Sequence, residues 1–137
     1  MSGPVDVCAA VPLTSVVQIT GRNVYSTTAG GTGSDQGASV YYCQYSDGDI
    51  SIAQSVFTLS VYRGGNATSI MSKLAQALGG VGAVSGVGDS VQSNDMELDA
   101  VYGADVVVMS DTLDPGNTTP LSQSAFVPLS RQVQKSL

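Results

Sequence analysis

Between Ser39 and Tyr62 the chain reads SVYYCQYSDGDISIAQSVFTLSVY, with apolar residues recurring at every second position. Alternate side chains of a strand share a face, so Tyr41, Cys43 and Tyr45 fall on one side of the first half and Val40 and Tyr42 on the other. In the second half Phe57, Leu59 and Val61 share a face, whereas Ile50 and Ile52 alternate with the opposite parity. That change of parity predicts either a bulge around Gln54 or Ser55 or a second strand that starts late. The two strands join through Ser46-Asp47-Gly48-Asp49, and the expected core is Cys43, Phe57, Leu59 and Val61.

Cys43 has one counterpart, Cys8, and the chain contains no histidine. The pair fits no metal-ligand spacing, which makes a disulfide the economical reading and two separate buried thiols the alternative. A bond would close a loop of about 36 residues, stabilise the fold by about 3–4 kcal/mol through loop-closure entropy, and tie the N-terminal segment to the hairpin.

The rest of the chain punctuates clearly. Residues 5–21 predict a short helix entered through Pro12 or capped by Thr14, with Val16, Val17 and Ile19 available for burial and Gly21 as its stop. Arg22–Ala38 is rich in Gly, Ser and Thr and reads as a mobile surface loop. Residues 64–80 give the clearest helix, capped by Asn66 or Thr68, with Ile70, Met71, Leu74, Ala77 and Leu78 at helical spacing before Gly79-Gly80. Strands follow at Ser90–Gln92, Met96–Tyr102 and Asp105–Ser110, the last two joined at Gly103-Ala104. Met96, Leu98 and Ala100 alternate with Glu97 and Asp99, so that strand is expected to have one wet face. Leu121–Leu137 has helical spacing, but Pro128 removes a hydrogen bond and predicts a bend or break near Val127. The expected fold is therefore α+β: one domain over 1–137, a single antiparallel sheet of about five strands with helices on one face, in the order α-β-β-α-β-β-β-α.

Composition excludes several functions. The chain has 137 residues and a net charge of −6, and its five basic residues are scattered, so neither a nucleic-acid backbone nor an anionic membrane finds a cationic patch. Without histidine the commonest general base and the usual nucleophilic triads are missing. A Ser-Lys pair would have to use Lys73 or Lys135, both expected on outer helix faces. The acids Asp47 with Asp49 and Glu97 with Asp99 suit turn-forming and solvating roles better than paired catalysis. Gly79–Asp89 misses both nucleotide-binding glycine patterns and follows a helix, where those motifs follow a strand. Asp47-Gly48-Asp49 and Asp111–Asp114 offer oxygen ligands without calcium-loop spacing. The Asn66-Ala67-Thr68 and Asn117-Thr118-Thr119 sequons fit turns or caps. No catalytic residue, metal or cofactor is assigned.

Asp6, Cys8, Leu13 and Thr14 before a helix ending at Gly21, Cys43 and Tyr45 as Cys-x-Tyr, the Gly86-Val87-Gly88-Asp89 turn and a closing helix occur in a fixed order. This pattern resembles a family of small, uncharacterised actinobacterial lipoproteins with extracytoplasmic domains and paired cysteines. The resemblance implies export, a lipid anchor on a cysteine upstream of Met1, a tether whose remnant is residues 1–4, and a Cys8–Cys43 disulfide. It carries no established active site. The expected function is a non-enzymatic domain of the cell envelope, lipid-anchored or secreted, that binds an unknown small molecule or envelope protein. Val40, Tyr42, Tyr62 and Asp89 are the candidate binding surface, since exposed tyrosines are large, amphipathic contact residues. The alternatives are a carboxylate- or metal-dependent envelope enzyme working near Gly86–Asp89, or an inhibitor of a secreted enzyme.

Overall fold

The computed structural model describes residues 5–21, 26–35, 37–46, 55–78, 90–93, 97–111 and 123–137. Its elements run α1 (Val7–Ala10), α2 (Leu13–Thr20), β1 (Ser26–Asp35), β2 (Ala38–Ser46), β3 (Ser55–Arg63), α3 (Ala67–Leu78), β4 (Ser90–Ser93), β5 (Glu97–Tyr102), β6 (Asp105–Asp111) and α4 (Gln123–Gln134). The strands form one sheet in the order β1-β2-β3-β6-β5-β4, with every neighbouring pair antiparallel. The α+β class and the single antiparallel sheet agree with the sequence. Six strands stand where about five were expected, and a short α1 precedes the first expected helix.

The additional strand lies inside the segment expected to be a mobile loop. Ser26–Asp35 pairs along β2 despite having almost no apolar side chains, with a register shift between Gly30 and Gly33. Backbone hydrogen bonds to an already formed hairpin stabilise an edge strand whose own composition carries no strand pattern. The hairpin itself has the expected faces. Cys43, Tyr45, Phe57, Leu59 and Val61 are all buried, so the expected core residues are core. The bulge falls one residue later than expected: Tyr45 faces Phe57 while Ser46 faces Ser55. The expected turn at Asp47-Gly48-Asp49 and the alternation of Ile50 and Ile52 lie outside the described residues.

Helices cover both faces of the sheet, which corrects the expectation of one. Val7, Val11 and Val16 from the N-terminal segment and Ala125, Phe126, Leu129 and Val133 from α4 share a core with Cys43, Tyr45, Phe57, Leu59, Leu98, Val107 and Met109. On the opposite face Ile70 and Met71 of α3 pack with Ala38, Val106 and Val108. Adjacent residues of β6 therefore serve different layers, and its run Val106-Val107-Val108-Met109 is apolar throughout because both of its faces are buried. Two glycines set this geometry. Gly103 takes φ 64° in the two-residue turn between β5 and β6, a conformation costly for other residues. A Cβ on Gly65 would stand 2.8 Å from that of Ala38, so glycine there lets the chain pass close over β2 on its way into α3. Asn66 then caps α3, accepting the Ser69 N–H at 3.0 Å.

The N-terminal segment turns a corner between α1 and α2. Asp6 caps α1 by accepting the Ala9 N–H at 3.1 Å, while Pro12 precedes α2 without a side-chain cap, so Thr14 is not the cap. Gly21 ends α2 as expected, its N–H donated to Val17 O. Val16 is buried and Ile19 half-buried, but Val17 is exposed. α4 continues through Pro128 without the expected break. Pro128 lies on its exposed side, while Phe126, Leu129 and Val133 hold the other side in the core.

Cys8 and Cys43 form a disulfide with their Cα atoms 5.2 Å apart. Two residues along the same face of β2, the fully buried Tyr45 donates its hydroxyl to Val11 O at 2.6 Å. Replacing both cysteines by serine is expected to cost about 3–4 kcal/mol in urea unfolding, the entropy of the released loop. Tyr45→Phe, which leaves a buried carbonyl without its donor, is expected to cost about 1–2 kcal/mol. A double serine variant losing less than the tyrosine variant contradicts this ranking.

Candidate functional site

The face of the sheet that carries α3 is ordered into three cross-strand rows. The first contains Gly33, Val40, Tyr62, Val106 and Val101 on successive strands. The second contains Gly30, Tyr42, Ser60, Val108 and Asp99, and the third Thr28, Gln44, Thr58, Ser110 and Glu97. The face thus grades from apolar to polar along the strands. α3 packs where it is apolar, against Val106, Val108, Val101 and Tyr62.

Three of the four expected binding residues come together here. Val40 and Tyr62 are directly opposed across β2 and β3, and Tyr42 follows Val40 on the same face. All three are half-buried, with Tyr62 packed against the α3 core. The fourth, Asp89, lies outside the described residues, as do the rest of the Gly79–Asp89 connector, the acids Asp47 and Asp49, and the second sequon. Asn66 of the first sequon is the α3 cap already described. Lys73 and Lys135 are exposed, as expected. Among the described residues no group of three or more His, Cys, Asp or Glu could hold a metal ion, and no helix is long and apolar enough to cross a membrane.

The expectation of a wet face on β5 is corrected by Asp99, which is completely buried. Glu97, two residues away on the same face, is half-buried. Burial, a hydrogen bond to Asp99 and the charge of Asp99 together push the Glu97 carboxyl up to about 8. Glu97 thus keeps its proton at neutral pH. Alternation alone conceals this, because a carboxylate at every second position looks the same whether that face meets water or another layer.

At the other end of the sheet Arg63, only 5% exposed, donates Nε–H and Nη2–H to the two carboxylate oxygens of Asp105, each at 3.0 Å. These bonds hold the Arg63 guanidinium above its ordinary pKa, against the opposing effect of desolvation. The pair floors an open cavity of about 440 Å³ walled by Tyr102, Gln134 and Leu137. Tyr102 shares a 2.6 Å hydrogen bond with Ser130 of α4. The arrangement clamps the end of β3 to the β5–β6 turn; the carboxylate and guanidinium neutralise one another, so the cavity presents no net charge to a ligand. Burial of Tyr45 pushes its phenol far above the ordinary range, which keeps it a neutral hydrogen-bond donor.

No protein-family model, curated protein or solved structure matches this chain. The site is therefore defined by its own geometry.

Glu97 ionises near pH 4.5 when unfolded and near 8 when folded, so between those values the folded chain carries the extra proton. Stability is expected to fall as pH rises through that window and to level off above it. Glu97→Gln, which retains a donor for Asp99, should flatten the decline and be the more stable protein at pH 8, the difference vanishing toward pH 4.5. Urea unfolding across this range checks it; parallel pH profiles for the two proteins contradict it.

Proposed function

We propose that this chain is a non-enzymatic, exported domain of the cell envelope that binds its ligand or partner on the sheet face bearing Val40, Tyr42 and Tyr62. The observation that carries the reading is the grading of that face. α3 packs on its apolar side over β5 and β6, leaving a half-buried tyrosine among uncharged polar side chains on β2 and β3. The Cys8–Cys43 disulfide suits an oxidising compartment. The low charge and the scattered bases fit a surface kept wet by hydroxyls and amides.

Glu97 and Asp99 favour a second reading, a carboxylate-dependent enzyme, because one acid kept protonated beside another is a recurrent catalytic device. The burial of Asp99 speaks for a structural proton store instead, since a catalytic carboxylate has to reach its substrate.

Expressed from its own gene with a C-terminal tag, the protein is expected in the envelope fraction with Cys8 and Cys43 oxidised. Recovery from the cytosol with both thiols open to alkylation contradicts export. Equal retention of Tyr42→Ala and wild-type protein on the envelope fraction removes this face from the reading.

A further inference from the structure

Resting on the binding face just proposed, we infer that its ligand is an uncharged saccharide lying across β2 and β3, with Tyr42 as the platform for a sugar ring. Steric room is the first requirement. Tyr42 stands in register between Gly30 and Ser60, so its row neighbours on both strands are among the smallest residues. A flat ligand can therefore extend across the strands over the tyrosine.

Chemical complementarity is the second. The next row places Gln44 beside Thr58, and Ser60 flanks the ring, all three half-buried. Amides and hydroxyls each donate and accept hydrogen bonds, which is what the hydroxyls of a sugar demand, while an ionised side chain does only one of the two. A sugar ring also has an apolar C–H face, and a tyrosine supplies an aromatic face and a polar tip in one residue. None of the described side chains that β2 and β3 direct to this face, Ala38, Val40, Tyr42, Gln44, Thr58, Ser60 and Tyr62, is charged. In a chain of net charge −6 that is a marked local neutrality, and among the described side chains of β2 and β3 on this face none carries the charge that would recognise a phosphate, an ammonium group or a metal ion.

A protein partner fits less well. Protein interfaces are built around a desolvated apolar centre. Here α3 packs against Val106 and Tyr62 of the apolar row, and Val40 is the aliphatic side chain beside Tyr42 among the hydroxyls and amide of Ser60, Thr58 and Gln44. The acids Asp99 and Glu97 lie in the same rows on β5, two strands from β3 and three from β2, so about 10 and 14 Å away.

The test uses the intact, oxidised domain labelled with ¹⁵N and titrated by NMR with neutral gluco-, manno-, galacto- and arabino-oligosaccharides, with oligogalacturonate as an anionic control. At least one neutral oligosaccharide should shift the amides of Tyr42, Gln44, Thr58 and Ser60, with Tyr42→Ala weakening binding about tenfold or more and Tyr42→Phe retaining most of it. The spectrum of each variant reports its folding directly. Shifts on another face, stronger binding of oligogalacturonate, or no shift with any neutral sugar at millimolar concentration overturns the proposal. If envelope retention still depends on Tyr42 while no sugar binds, the ligand class falls and the binding face stands; if neither depends on Tyr42, both fall.

Discussion

The fold depends on one attachment, that of the α1–α2 corner to the inner face of β2. Neither helix is long enough to be stable in water alone. Cys43 fixes Cys8 covalently, Tyr45 holds Val11 O, and Gln132 of α4 reaches Ser15 Oγ at 3.0 Å and Ala10 O at 3.4 Å from the other side. Val7, Val11 and Val16 thereby close over the same core that holds Phe57 and Phe126, whose rings lie 6.3 Å apart. Tyr45 is both a polar tie and a member of that aromatic run, its ring 5.9 Å from Phe57. A single strand face thus links N-terminal helices, sheet and C-terminal helix.

This concentration of packing on one face frees the other. Three helices serve the larger core, and α3 alone serves the smaller one, over the apolar end of β5 and β6. The remaining half of that face is graded in polarity by the register of β2 and β3, and the proposed function draws on that gradient. The Arg63–Asp105 pair and the Tyr102–Ser130 bond tie together the apolar end of the sheet.

Period-two alternation made the hairpin core and the β5–β6 turn legible, because burial of one strand face and a glycine turn are local signals. The disulfide was equally accessible, two cysteines and no histidine leaving few uses for the pair. β1 was hidden because an edge strand of glycine, serine and threonine draws its stability from the neighbour's backbone, which composition does not record. Pro128 does not split its helix because the rule for a helix interior presumes that the lost bond is costly, and here Pro128 is on the exposed side while Phe126 and Leu129 hold the opposite side in the core. Glu97 and Asp99 were placed on the correct face of their strand, but whether a second layer covers that face is a tertiary fact. Of the candidate site, parity places Val40, Tyr42 and Tyr62 on one face, while the polar row of Gln44 and Thr58 emerges only from the pairing register.

Hydrogen exchange on the oxidised protein and on the Cys8→Ser/Cys43→Ser variant measures the central claim most directly. If the corner closes the larger core, losing its covalent tie lowers protection in α1, α2 and α4 together, while α3, on the opposite face, keeps its own. Fraying of α1 and α2 with α4 unchanged, or loss of α3 protection alongside them, would contradict the account.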